Sequence, residues 1–173
     1  VAAMAGADPL ALQALLRTAA VVGVTSEIDF GEWPVVSSAD EQFYFKPDAG
    51  LLMISPADET PCAPGDVWAD DFIVAQCVDK LERATSLRVR TLKQSWAGIR
   101  SFAADRLPVV GYDERQEGFF WYAGFGGYGI QTAPALSAVA AAVFDGREPP
   151  PPLLDYGIEA ERFQPSRLAV PGG

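Results

Sequence analysis

Arg100, Tyr44 and the glycines of Gly124-Phe-Gly-Gly-Tyr-Gly129 are the residues of this 173-residue chain that have a use beyond packing. The glycine segment follows an aromatic run, Phe119 to Ala123, and precedes an alanine-rich stretch from Thr132 to Phe144. Strand, tight turn and helix in that order bring a helix N-terminus to the turn, where free amides and the helix dipole attract an anion or an electron-rich carbonyl. A turn that only connects strand to helix accounts for the glycines equally well. Arg100 sits between apolar neighbours, with Ile99 before it and Phe102 shortly after. A guanidinium in that setting needs a carboxylate, either from a ligand or from an internal Asp or Glu. Tyr44 alternates with Phe43 and Phe45, so it is either a half-buried strand aromatic or a hydroxyl offered to a ligand.

Several chemistries are excluded by what the chain lacks. It contains no histidine, so no Ser-His-Asp or Cys-His constellation and no His-ligated metal can be assembled within it. Gly124, Gly126 and Gly129 match the GxGxxG dinucleotide spacing, yet the required context is missing. A first Rossmann turn needs a second strand and an acidic residue about 20 positions on, whereas this helix runs into Asp145-Gly-Arg-Glu and four prolines. A net charge of -10 argues against nucleic acid or an anionic membrane surface as partner. No apolar run approaches the roughly 20 residues of a transmembrane helix, so a soluble chain is expected. Cys62 and Cys77 form neither a zinc motif nor a CxxC pair, and a reducing, cytoplasmic setting is the default.

The elements that must position these residues are legible from periodicity. Thr18 to Val24 reads as a buried strand and Pro34 to Ser37 as a short extended piece. Gln42 to Lys46 and Leu51 to Ile54 read as a hairpin around a four-residue loop, Pro47 to Gly50, with Tyr44 and Lys46 on one face. Asp66 is a plausible N-cap for a helix from Val67 to Ala84 carrying Trp68, Phe72, Ile73, Cys77 and Leu81 inward. Leu87 to Leu92 alternates like a strand with one wet face, and continues towards Trp96-Ala-Gly-Ile-Arg100. Arg88 and Arg90 are expected on the solvated surface. Pro149 to Pro152 should end regular structure, leaving a tail that packs through Leu154, Tyr156, Phe163 and Leu168. With 49% hydrophobic residues the chain can build a real core.

Three segments together carry a family resemblance: Ser95-Trp-Ala-Gly-Ile-Arg-Ser-Phe102, Leu107-Pro-Val-Val-Gly111, and Gly118-Phe-Phe-Trp-Tyr-Ala-Gly-Phe-Gly-Gly-Tyr-Gly-Ile-Gln-Thr-Ala-Pro134. They resemble the C-terminal half of FAD-dependent D-amino-acid oxidoreductases of the glycine oxidase and D-amino-acid oxidase type. Phe43-Tyr-Phe-Lys-Pro-Asp-Ala-Gly50 and Pro165-Ser-Arg-Leu168 bring the resemblance nearest to the D-arginine dehydrogenase group. The resemblance implies an α+β fold: a mixed, largely antiparallel sheet with flanking helices, followed by the last strand and helix of a Rossmann-like FAD-binding domain. It places the substrate-binding portion at residues 1–101 and the return to the FAD-binding domain at 102–173.

By the same resemblance, Gly126, Gly127, Tyr128, Gly129, Ile130 and Gln131 are the loop and helix start that meet a non-covalently bound FAD. Arg100 aligns with the arginine that grips the substrate carboxylate, Tyr44 with a tyrosine at the same group, and Arg17 with a second carboxylate-binding arginine. Gly98 would offer its carbonyl to the substrate amine. Phe125 stands where many relatives carry a polar residue or His, so oxidase and dehydrogenase chemistry both stay open. The Rossmann half is not within these residues, and Val1 follows no start signal, so the chain is expected to be part of a longer protein with an N-terminal FAD-binding half as its partner. The implied activity is oxidation of a D-amino acid to an imino acid. Two alternatives remain: a glycine- or sarcosine-type amine oxidase, and a non-catalytic module of a split flavoprotein.

Overall fold

The computed structural model describes residues 2–7, 10–25 and 29–168, and the chain divides into two compact units. One unit is Leu15–Ile99; the other joins Val1–Ala14 to Arg100–Gly173. Both are mixed α and β, and in each the neighbouring strands of the hairpins run antiparallel.

The first unit is built on a six-stranded sheet around β1 (Gln13–Thr25), whose middle residues are almost fully buried. Strands β2 (Val36–Ser37), β3 (Tyr44–Asp48), β4 (Leu51–Ser55) and β5 (Thr60–Pro61) follow. β4 pairs with β1 in the register Ala20 to Ile54 and Val22 to Leu52, which sets these apolar side chains among one another. The hairpin turn is tighter than expected: Pro47 and Asp48 remain in β3, opposite Leu52 and Leu51. Only Ala49 and Gly50 turn, with φ of 48° and 79°. Two consecutive positive φ values match the twist of the flanking strands, and this geometry displaces the longer loop.

Helix α1 (Asp71–Ala84) covers the sheet with Val74, Cys77 and Leu81, which join Phe45, Leu52, Ile54 and Leu87 in the core. Its start differs from the expectation. Asp70, not Asp66, is the N-cap, its carboxylate accepting from the Phe72 amide at 2.8 Å. The buried stripe therefore runs through 74, 77 and 81. Phe72 precedes it by two residues, about 200° around the helix, and is exposed, as is Trp68 in the extended chain before the helix. β6 (Arg88–Phe102) is one continuous strand paired with β1, joining the two stretches read from the sequence. Arg88 and Arg90 are exposed as expected; Arg88 Nη1 also donates to the carbonyls of Glu82, Thr85 and Leu87, closing the end of α1.

The second unit contains the two-stranded sheet of β7 (Val109–Tyr112) and β8 (Phe120–Ala123), followed by α2 (Gly129–Phe144) and the short α3 (Pro151–Asp155). Val110, Leu136, Val139 and Ala160 form one buried cluster; Ala7, Ala103, Val109 and Trp121 form another. The proline run does not end regular structure: Pro151 and Pro152 begin α3, where an absent amide is no loss. In the tail, Phe163 and Leu168 pack as expected. Tyr156 does not; it is exposed, and so is Leu154.

The connection from β7 to β8 is held by one carboxylate. Asp113 accepts from the indole Nε1 of buried Trp121 at 2.8 Å and from the amides of Arg115 and Gln116 at 2.8 and 2.9 Å. The Trp121 bond, followed by the two amides, holds its pKa below the ordinary carboxylate range. Asp113→Ala is expected to cost about 1–3 kcal/mol, because the indole donor loses its acceptor, as urea unfolding at neutral pH would measure. The folded-state pKa is lowered, so this stabilisation is present above the unfolded pKa and is lost as pH falls through the folded one. The difference between wild type and variant should therefore shrink on acidification; a gap independent of pH counts against the charged form.

Candidate functional site

The glycine segment after β8 is anchored by backbone before any ligand is considered. Phe125 forms a bridge with Phe102, the Gly126 amide donates to the Ser101 carbonyl at 2.9 Å, and the Tyr128 amide to the Phe125 carbonyl at 3.0 Å. Gly126 has φ of 54°, and a Cβ there would run into the Phe102 ring, with Cδ1 and Cζ only 2.9 Å away. Phe102 cannot easily retreat: it is buried, and the Arg106 guanidinium lies 4.2 Å from its ring centroid. Glycine at this position is thus a requirement of the fold.

Gly127 is constrained by something else. A Cβ on it would lie 3.1 Å from Cζ of Arg100 and closer still to Nη1, so the guanidinium rests against the loop backbone. Arg100 is half-buried, and among the described residues no carboxylate pairs with it. The internal salt bridge allowed by the sequence is absent from this unit as described. A planar cation with unfilled donors is therefore held at the glycine loop.

Helix α2 begins at Gly129, three residues earlier than the apolar pattern indicates. Tyr128 is the N-cap, its carbonyl accepting from the Thr132 amide at 3.0 Å and the Thr132 hydroxyl at 2.8 Å. Gly129, Ile130 and Gln131 consequently form the first turn, whose amides have no carbonyl within the helix to bond. The surface here is open: Gly127, Tyr128 and Gln131 are exposed, and Ile130 is 96% exposed. The first-turn amides of Gly129, Ile130 and Gln131 and the exposed side chains of Tyr128 and Ile130 thus face the outside of their unit.

The remaining candidates lie in the Leu15–Ile99 unit. Tyr44 is half-buried on β3, opposite Ser55, while Phe45 turns into the core; among the described residues its hydroxyl has no partner. Gly98, on β6, has nothing within 4 Å of where a Cβ would be, so packing does not demand glycine there. Arg17 is already engaged, its Nη2 lying 2.9 Å from Glu59 Oε1 with only 13% of the side chain exposed, and its Nε is buried without a partner.

Sequence reasoning missed the arrangement around Arg17. Asp58 accepts from the Thr18 amide at 2.7 Å and from its hydroxyl at 2.9 Å, while the Ser55 hydroxyl donates to the Thr18 carbonyl at 2.7 Å. Thr18 and Ser55 are fully buried, so these bonds offset the cost of placing polar groups in the core. Asp58-Glu59 was visible as an acidic pair after a strand, but it lies some 40 residues from its partners, with no spacing to betray the link.

Other chemistry finds little support. Burial pushes the Cys77 thiol up to about 12, so it is not a nucleophile at neutral pH. Among the described residues no group of three His, Cys, Asp or Glu could hold a metal ion, and no helix is long and apolar enough to cross a membrane.

A family model described as FAD dependent oxidoreductase matches residues 1–143. An uncharacterized oxidoreductase of Bacillus subtilis (strain 168), YurR, is 26% identical over 124 residues, which is 71% of this chain and 33% of the relative. An FAD-dependent oxidoreductase domain-containing protein of Bos taurus is 28% identical over 122 residues, 66% of this chain and 25% of the relative. The chain thus spans a third or less of the length of these relatives. Among solved structures, glycine oxidase from Geobacillus kaustophilus shares the fold with a TM-score of 0.65 at 20% identity, covering 85% of this chain and 38% of that one.

Proposed function

Because the chain belongs to the FAD dependent oxidoreductase family, we propose that it is the C-terminal portion of a flavoenzyme that oxidises a D-amino acid, with D-arginine one candidate, to an imino acid. The observation that carries this reading is Arg100: a guanidinium with no carboxylate partner among the described residues, set against the Gly127 backbone beside the open amides of α2. That loop fits the cofactor. A side chain at Gly127 would collide with Arg100, so only bare backbone fits beside the guanidinium, while the first-turn amides suit the electron-rich edge of a flavin ring. Gly126, Gly127, Tyr128, Gly129, Ile130 and Gln131 are the residues proposed to hold FAD, without a covalent link. FAD, when bound, supplies the acceptor for the electron pair leaving the substrate's carbon–nitrogen unit.

The chain's own residues bind and orient. The Arg100 fork takes both oxygens of the substrate carboxylate, and the Tyr44 hydroxyl, without a partner among the described residues, adds a hydrogen bond to the same group. The Gly98 carbonyl accepts from the substrate amine. Arg17 is proposed as the second carboxylate contact, its rotamer set by the ion pair with Glu59. With no histidine in the chain, none of its residues is a natural general base near neutral pH. Positioning is the contribution assigned to them. An N-terminal FAD-binding half is the proposed partner, and the cytoplasm the proposed location, in keeping with a chain of two cysteines that form no CxxC pair.

The test is anaerobic titration of the complete protein, following flavin absorbance. Bleaching by D-amino acids, D-arginine among those tried, is expected. Bleaching only by glycine, sarcosine or L-proline would overturn the substrate assignment, and a protein without flavin would overturn the whole reading. Tyr44→Phe should weaken substrate binding by about 1–2 kcal/mol, the loss of one hydrogen bond to a charged group, with normal flavin content. Unchanged KM for every substrate would make Tyr44 a strand aromatic and nothing more.

A further inference from the structure

The segment Gly65-Asp-Val-Trp68 has the composition of a helix start, but α1 begins only at Asp71. Outside regular structure, it walls a pocket of about 390 Å³ together with Ala97 and Ile99 of β6. That volume is within the range of small-molecule sites. Val67, Ala97 and Ile99 supply the apolar part of a lining that is otherwise polar, and Asp66, itself exposed, is the ionisable side chain among the six residues that line it. Among the described residues no basic group or hydrogen-bond donor pairs with the Asp66 carboxylate. Trp68, on the same wall, is 77% exposed, so its indole is largely left to solvent.

A carboxylate with no counter-ion among the described residues, an aromatic face and a few apolar side chains are the parts of a site for an organic cation. We infer that this pocket binds a small organic cation, an alkylammonium or guanidinium group on a short apolar body, with Asp66 as counter-ion and Trp68 as the aromatic face. Anions are disfavoured by Asp66 and by the chain's net charge of -10. A neutral ligand would not satisfy the carboxylate, and one carboxylate is too sparse a donor set for a divalent metal. The inference stands on the pocket alone and does not rest on the flavin reading.

The complete protein, labelled with 5-fluorotryptophan and with its Trp68 signal assigned by Trp68→Leu, can be titrated with tetramethylammonium at constant ionic strength. This probe has no hydrogen on nitrogen and enters no hydrogen-bonding site. A saturable shift of the Trp68 fluorine signal is expected, with no saturation by tert-butanol, the neutral molecule of like shape. Asp66→Asn should weaken the cation roughly fivefold or more while leaving the unfolding midpoint unchanged. The inference is overturned by the absence of a saturable shift, by equal response to tert-butanol, or by equal affinity in Asp66→Asn. A Trp68 shift produced only by a second polypeptide would also overturn it. Flavin content is read separately by absorbance, so this inference and the proposed function can fail independently.

Discussion

Arg100→Met in the complete protein is expected to lower kcat/KM for D-amino acids by about 3 kcal/mol or more, on the order of 100-fold, with flavin content and unfolding midpoint near wild type. Two features lead to this. No described carboxylate depends on the Arg100 charge, so its removal should strand no buried anion. The guanidinium is also held against Gly127, where a bidentate grip on a carboxylate would fix the substrate relative to the loop. Lysine supplies the charge without the planar fork, so Arg100→Lys should recover only part of the loss. Amines without a carboxylate should be nearly indifferent to either change. A variant that unfolds more readily while its folded fraction keeps normal kcat/KM would show that Arg100 serves the fold.

Gly126→Ala should destabilise the protein by about 2–4 kcal/mol, combining the cost of a left-handed conformation for a residue with Cβ and that of overpacking against a ring that cannot move. Phe102 is buried and covered by Arg106, and the Gly126 amide is committed to Ser101. The neighbouring Gly127→Ala should behave differently, because the atom in its way belongs to the mobile end of Arg100. Stability should change little there, while KM rises as the guanidinium is displaced. Thermal unfolding and steady-state kinetics on the two variants separate these outcomes. If Gly126→Ala melts like wild type, the bridge between Phe102 and Phe125 is not holding the loop.

The strands around Tyr44 and Arg100 were legible because their side chains alternate and their turn residues are distinctive. β6 and β8 lie where periodicity places them; β1 begins five residues before the expected strand, the β3–β4 hairpin has a shorter turn, and the two helices differ at their starts. The helix-start errors share a cause. Asp66 and Asp70 are both competent caps, and the choice was made by which register lays Val74, Cys77 and Leu81 on the sheet, information not local to the cap. At α2 the glycines looked like turn residues, but Gly129 helps to form the first turn of the helix. Arg100 stood out as a charge among apolar neighbours, and sequence could not choose between its two kinds of partner. The bond between Arg17 and Glu59 left no trace at all, because each is an ordinary charged residue until the sheet brings them to 2.9 Å.

The turn at Ala49 and Gly50 has a consequence for the order of assembly. Closing a two-residue turn loses far less chain entropy than joining β1 to β4, where Ala20 must find Ile54. The β3–β4 ribbon is therefore the piece of this sheet able to form first, from contacts local in sequence, and β1 is recruited to an edge that already exists. Tyr44 rides on the early ribbon and Arg17 on the late strand. Stopped-flow refolding should accordingly find folding rates more sensitive to changes near Tyr44 than to changes near Arg17; the reverse ranking would place the nucleus on β1. Substitutions made to alter substrate preference at Tyr44 will then carry a cost in folding speed that those at Arg17 escape.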